Sequence, residues 1–207
     1  MNTHFQMSNP CIRGKKQSFF LVLFLLTLFF LAPGMNGAYA QTRVTDINPG
    51  SGGSTPQFLK VYNGELYFNA TDGANGQELW AFNGTSAVLK AEIRAGASGS
   101  SPAYLTVYNN QLYFQANDGI NGAELWKYNG ATASLVADIE TGSGNSNPQS
   151  LYAFGGKLYF TASTAATGPE LWSYDGVTAT LIADIRPGAT GSSPSNFCGY
   201  GGNLYFS

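Results

Sequence analysis

From residue 43 onward the chain alternates short runs of period-two hydrophobicity with clusters of Gly, Asn, Ser and Pro. Period two places successive side chains on opposite faces, which is the signature of a strand. The pattern repeats. Prolines fall at Pro56, Pro102, Pro148 and Pro194, a step of 46 residues each time, and Leu66-Tyr67-Phe68 returns in the same step at Leu112, Leu158 and Leu204. Glu78-Leu79-Trp80 returns at Glu124 and Glu170, and Asp46-Ile47 returns as Glu92-Ile93, Asp138-Ile139 and Asp184-Ile185. Four markers in one register define an internal repeat.

The unit around Pro102 predicts four strands. The first runs over 104–108, and Asn109-Asn110 then supplies a two-residue turn, as Asn63-Gly64, Gly155-Gly156 and Gly201-Gly202 do in the other units. Such pairs tolerate positive φ at both positions, as a type I′ hairpin requires. The second strand, 111–117, puts Leu112, Phe114 and Ala116 on one face and Tyr113 on the other. A Gly-rich connection leads to a third strand at 124–128, and a fourth is expected at 134–139. No segment of the repeats reads as a helix.

Four short antiparallel strands every 46 residues predict an all-β fold, a β-propeller of four-stranded blades, with a solenoid of stacked units as the rival architecture. The blades are expected at about 56–93, 102–139 and 148–185, with a partial unit at 194–207 and an N-terminal strand at 43–47. That is about 3.6 repeats, so the ring is expected to be incomplete and the chain to be the N-terminal part of a longer protein.

Composition changes the picture at the N-terminus. Arg13, Lys15 and Lys16 precede an apolar run of 14 residues, Phe19 to Ala32, and Ala38-Tyr39-Ala40 has the small-x-small form of a signal peptidase site. Residues 1–40 are therefore expected to be a cleaved signal peptide, residues 41–207 the exported protein at or outside the cell surface, and no membrane span is expected after cleavage. An uncleaved anchor is the alternative, but a helix of that run would reach only about 21 Å against a hydrocarbon core of roughly 30 Å.

The leader takes three basic residues and no acidic ones, so the net charge moves from −2 to −5. A sparsely charged, mildly acidic surface argues against nucleic acid as a partner. His4 is the one histidine and lies in the leader, so residues 41–207 contain no imidazole for a catalytic triad or a zinc site. Cys198 is the one cysteine beyond residue 40. No cluster of residues breaks the repeat as a catalytic constellation would, although glycoside hydrolysis needs only a pair of carboxylates.

Three sets of side chains are candidates for chemistry. Trp80, Trp126 and Trp172 recur once per unit, as sugar-stacking rings or as core residues with each indole N–H bonded locally. Asp72, Asn75 and Glu78, repeated as Asp118, Asn121 and Glu124, space oxygens as calcium ligands or as turn formers. The third unit reads Thr164-Ala165-Ala166-Thr167, which loses both Asp and Asn and favours the turn. The acidic position shared by Asp46, Glu92, Asp138 and Asp184 is expected to cap the following Gly-rich loop or to pair with Arg94 or Arg186.

The segments ELWAFNGT (78–85), ELWKYNGA (124–131) and ELWSYDGV (170–177) resemble the motif of the ELWxxDGT-repeat proteins, bacterial exported or surface proteins akin to hyalin-repeat and other propeller-like repeat proteins. Asn stands for Asp at Asn83 and Asn129, and Thr survives only at Thr85. The resemblance covers essentially all of residues 41–207 and implies location and architecture rather than a reaction. The expected function is a non-catalytic binding or adhesion scaffold for an extracellular protein or glycan, without cofactor. A lectin-like propeller, accessory to a larger extracellular enzyme, is the alternative.

Overall fold

The computed structural model describes residues 44–207, so the expected leader lies outside the described residues. Strands β1 (Gln57–Tyr62), β2 (Glu65–Ala70), β3 (Glu78–Phe82) and β4 (Ala87–Ala91) form the first antiparallel sheet in chain order. β5 (Ala103–Tyr108), β6 (Gln111–Asn117), β7 (Ala123–Tyr128) and β8 (Ala133–Ala137) form the second. β9 (Gln149–Phe154), β10 (Lys157–Thr164), β11 (Gly168–Tyr174) and β12 (Ala179–Ala183) form the third, followed by a hairpin of β13 (Cys198–Tyr200) and β14 (Asn203–Tyr205). The chain is all-β and propeller-like, with each sheet a meander in which sequence neighbours are hydrogen-bonded neighbours.

The hairpins have the expected chemistry. Asn63 and Gly64 sit at φ 47° and 79°, Asn109 and Asn110 at 44° and 55°, and both glycines of Gly155-Gly156 are also positive. Two consecutive left-handed residues match the twist of the flanking strands.

Neighbouring sheets pack face to face, and β1 contacts β5 as β5 contacts β9. The blades thus approach most closely at their first strands. Between sheets one and two lies a cluster that includes Tyr62, Tyr67, Leu79, Leu112, Phe114 and Trp126. Between sheets two and three the same positions recur as Tyr108, Tyr113, Leu125, Leu158 and Phe160, with Trp172 packed alongside. Alternation on β6 explains why one blade serves both clusters: Leu112, Phe114 and Ala116 face the preceding sheet and Tyr113 the following one. Fully burying a side chain such as Phe114 contributes roughly 1.5–3 kcal/mol.

Tyrosines tie adjacent blades. The Tyr62 hydroxyl donates to the carbonyl of Asn110 at 3.1 Å, and the Tyr108 hydroxyl donates to that of Gly156 at 2.8 Å. The rings form tilted groups, with Tyr62–Tyr67 centroids 5.4 Å apart and Tyr108–Tyr113 centroids 5.5 Å apart.

Two expectations are corrected. The strand at 43–47 is not formed over residues 44–47, because no third strand precedes it among the described residues to accept its hydrogen bonds. Ile47 nevertheless packs against Phe68 and Trp80, where Ile93 sits in the next unit. The fourth strand expected at 134–139 ends at Ala137, because the backbone N–H of Ile139 turns away to Glu124.

Candidate functional site

The glutamate within the first three residues of each third strand is fully buried. Glu78, Glu124 and Glu170 each show 0% exposure. Glu78 accepts the backbone N–H groups of Ile93 (2.9 Å), Arg94 (3.1 Å) and Ser100 (2.9 Å), and also the Ser100 hydroxyl. Glu124 accepts Ile139 N–H at 2.9 Å, Ser146 N–H at 2.8 Å and the Ser146 hydroxyl at 2.5 Å. Glu170 accepts from Ile185, Arg186 and the Ser192 hydroxyl in the same way. Each carboxylate therefore clamps both ends of the loop that leads to the next blade. Buried backbone donors in such a loop need partners, and the glutamate supplies them.

Burial pushes the Glu78 and Glu124 carboxyls above the ordinary glutamate range, against the pull of the bonds they accept. Burial acts on Glu170 as well, but the bonds from Ser192, Arg186 and Ile185 outweigh it and hold that group below the ordinary range. Carboxylates so enclosed by their own chain are anchors rather than acids or bases aimed at a substrate.

This relocates the loop cap. It was expected from the acidic position of Glu92, Asp138 and Asp184, but the main acceptor is the glutamate far upstream in sequence. Asp138 contributes only a local bond from Gly142 N–H at 3.2 Å. Among the described residues the salt bridge is Lys90–Glu65 at 2.7 Å, and none joins Glu92, Asp138 or Asp184 to Arg94 or Arg186.

The calcium candidates separate. Asp72 accepts Ala74 and Asn75 N–H at 3.0 and 2.7 Å and the Asn75 amide at 3.1 Å. Asp118 does the same with Ile120 and Asn121, at 2.8 Å to each backbone N–H. These are Asx turns, and their hydrogen bonds, led by that from the Asn75 backbone, hold Asp72 below the usual aspartate range. In the third unit Thr164 and Thr167 make the turn through hydroxyls 2.9 Å apart. The structure thus brings Asp72 to Asn75 and Asp118 to Asn121, and it gives Glu78 and Glu124 other partners.

The tryptophans lie opposite phenylalanines across each β2–β3-type pair: Phe68 with Trp80, Phe114 with Trp126, Phe160 with Trp172. Trp80 and Trp126 are buried, so little ring face is open for stacking. The indole N–H groups of Trp126 and Trp172 are buried without a hydrogen-bond partner, which corrects the expectation that each is bonded locally. Trp126 edges a groove of about 360 Å³ that also includes Lys90, Glu92 and Thr132.

A surface not anticipated from the sequence lies on the first strands. Each carries a bulge: Gln57 and Lys60 pair with Asn69 and Tyr67, Ala103 and Thr106 with Gln115 and Tyr113, Gln149 and Tyr152 with Thr161 and Tyr159. At the bulge Phe58, Tyr104 and Ser150 adopt φ of 54°, 59° and 56°. Left-handed backbone is costly for a bulky side chain. Phe58 and Tyr104 are exposed, their centroids 5.2 Å apart, in a groove of about 280 Å³ shared with Leu105, Thr106, Ser150 and Leu151. The faint signal was the polar Ser150 and Asn196 at the same repeat position, residues that tolerate this conformation better.

No known family pattern matches the chain, and no curated protein matches it. Among solved structures, the computationally designed Ika4 protein aligns over 81% of this chain and 98% of its own at 14% identity and TM-score 0.44. The computationally designed Ika8 protein aligns over 79% of this chain at 13% identity and TM-score 0.43, and the chain spans 45% of that protein's length.

Proposed function

We propose that the protein is an exported bacterial repeat protein of the ELWxxDGT type, acting at the cell surface or beyond as a non-catalytic binding or adhesion scaffold. The observation that carries this reading is the contrast between its two kinds of repeated side chain. The carboxylates that recur in every blade are engaged by the protein's own backbone, whereas the aromatic pair Phe58 and Tyr104 is held exposed on strained backbone. Strain of this kind clusters at ligand sites.

The same pair favours a second reading, a lectin-like surface, since sugar faces stack on open aromatic rings and Ser150 lies beside them. In this reading Phe58 and Tyr104 replace Trp80, Trp126 and Trp172 as the stacking platform. Binding of the purified protein to a glycan array and to immobilised cell-surface protein tests both. We expect Tyr104→Ala to abolish capture with little change in melting temperature, and Trp126→Ala to unfold its blade. Capture of a glycan selects the lectin, capture of protein alone selects the scaffold, and full binding by Tyr104→Ala overturns the placement of the site.

A further inference from the structure

One polar recess departs from the repeat, and three loops meet to form it. Arg94 lies in the loop that joins the first two blades, Asn117 ends β6, and Ser143 and Asn145 lie in the loop that leads to the third blade. With Gly119 they line a cavity of about 220 Å³. As a set, these polar side chains occur once. One unit on, Arg94 becomes Glu140; Thr71 and Ser163 stand for Asn117, Ala97 and Ala189 for Ser143, and Gly99 and Gly191 for Asn145. Arg186 shares the position of Arg94, but the residues that would face it there fall outside residues 44–207. The neighbouring units make the same turns with other side chains, so the turns alone do not account for this set.

What the recess offers is hydrogen-bond donors. Asn117 accepts the Gly119 N–H at 2.7 Å and Asn145 accepts that of Ala123 at 2.7 Å. The oxygen of each amide is thus committed to backbone, and the NH₂ group is what remains to donate. Ser143 adds a hydroxyl. The Arg94 guanidinium lies over Gly119, where an added Cβ would come within 2.9 Å of Nε, and among the described residues no carboxylate forms an ion pair with it. The acids beside these residues in sequence are engaged elsewhere. Asp118 accepts the Ile120 and Asn121 N–H groups, Glu140 accepts that of Ala165 at 2.7 Å, and Glu92 lines the separate groove edged by Trp126. The loops themselves are held by the glutamate clamps. Arg94 N–H is bonded to Glu78 at 3.1 Å, and Ser146, next to Asn145, to Glu124 at 2.8 Å.

We infer that this recess binds a small oxyanion, a carboxylate or sulfate group. Arg94 supplies the charge and a planar fork of donors suited to two oxygens at once, and Asn117, Ser143 and Asn145 donate to the rest. Clamped loops hold these donors in place before the anion arrives, which lowers the ordering cost of binding. Residues 41–207 carry a net charge of −5, so the chain as a whole repels anions and the attraction is local to the recess. The site is independent of the bulge groove and of the ligand taken there.

Titration of the ¹⁵N-labelled protein with sodium sulfate and, separately, sodium acetate tests it, with sodium chloride at matched ionic strength as the control. The expected result is a saturable shift of the Arg94 Nε–H and of the Asn117 and Asn145 side-chain amides, complete below about 50 mM. Saturation by sulfate alone assigns a tetrahedral group and by acetate alone a carboxylate; either supports the proposal. Two variants borrow residues that a neighbouring unit already carries at the same position, so each is expected to keep the melting temperature. Arg94→Glu, after Glu140, abolishes the response, and Ser143→Ala, after Ala97 and Ala189, weakens binding by about three- to tenfold through loss of one hydrogen bond. Should a variant misfold, the location of the shifts in the unsubstituted chain still decides. Shifts that remain linear to about 200 mM, that chloride reproduces, that spare these three side chains, or that survive Arg94→Glu overturn the site.

Discussion

At Glu124 three backbone or hydroxyl donors converge on one buried carboxylate, and a single atom change tests whether they matter. Glu124→Gln turns one acceptor into a donor facing the Ser146 N–H or hydroxyl, so we expect a loss of about 2–4 kcal/mol in denaturant unfolding. Its pH dependence has a definite sign. Burial raises the folded-state pKa of Glu124 above the ordinary 4.5, so proton binding favours the fold. That contribution is fully present below the unfolded value and is lost as pH rises through the folded one. Glu170 lies below its ordinary value, so its contribution is present above 4.5 and lost as pH falls. On acidification from neutral pH, the cost of Glu124→Gln should therefore grow and that of Glu170→Gln should shrink. Parallel trends in the two variants would refute the assignment. Gly122 gives a purely steric case: at φ 73° an added Cβ would lie 1.6 Å from the carbonyl oxygen of Gly144. Gly122→Ala should cost roughly 2–5 kcal/mol, combining left-handed strain with overpacking.

Elements were legible in the sequence where the determinants are local. The turn pairs such as Asn63-Gly64 announce both the hairpin and its type, and β6 occupies the residues its alternation marks out. The clamp was not legible, because Glu124 and Ser146 are 22 residues apart and nothing in their spacing says that they meet. The acidic residue nearest the loop was the natural candidate, and the more distant one holds it. Bulges were hidden for a different reason. Glycine is the usual mark of left-handed backbone, yet Phe58, Tyr104, Ser150 and Asn196 occupy that position, held there by the closely packed first strands. The strain is measurable where no aromatic packing offsets it. Ser150→Gly should stabilise the third blade by about 0.5–1 kcal/mol, read from the thermal midpoint, and a loss of stability would argue against the bulge geometry.

Among the described residues the second sheet packs against a neighbour on each face, so its apolar side chains belong to the joints rather than to a hydrophobic core of its own. Stability resides in the joints, as in other repeat arrays. The Asx turns at Asp72 and Asp118 are closed by hydrogen bonds of their own, so the melting temperature is expected to be the same in chelator and in millimolar calcium; a rise with calcium would return those residues to a ligand role. A last consequence follows from the glutamate clamp. Because each one ties the start and end of an inter-blade loop to the strand before it, tension applied at the chain ends is blocked at every joint in turn. Stretched from its ends, the chain would then yield in discrete jumps, each releasing one 46-residue unit, or roughly 150 Å of extended chain. Force spectroscopy should show that sawtooth, with the Glu124→Gln variant losing its middle peak.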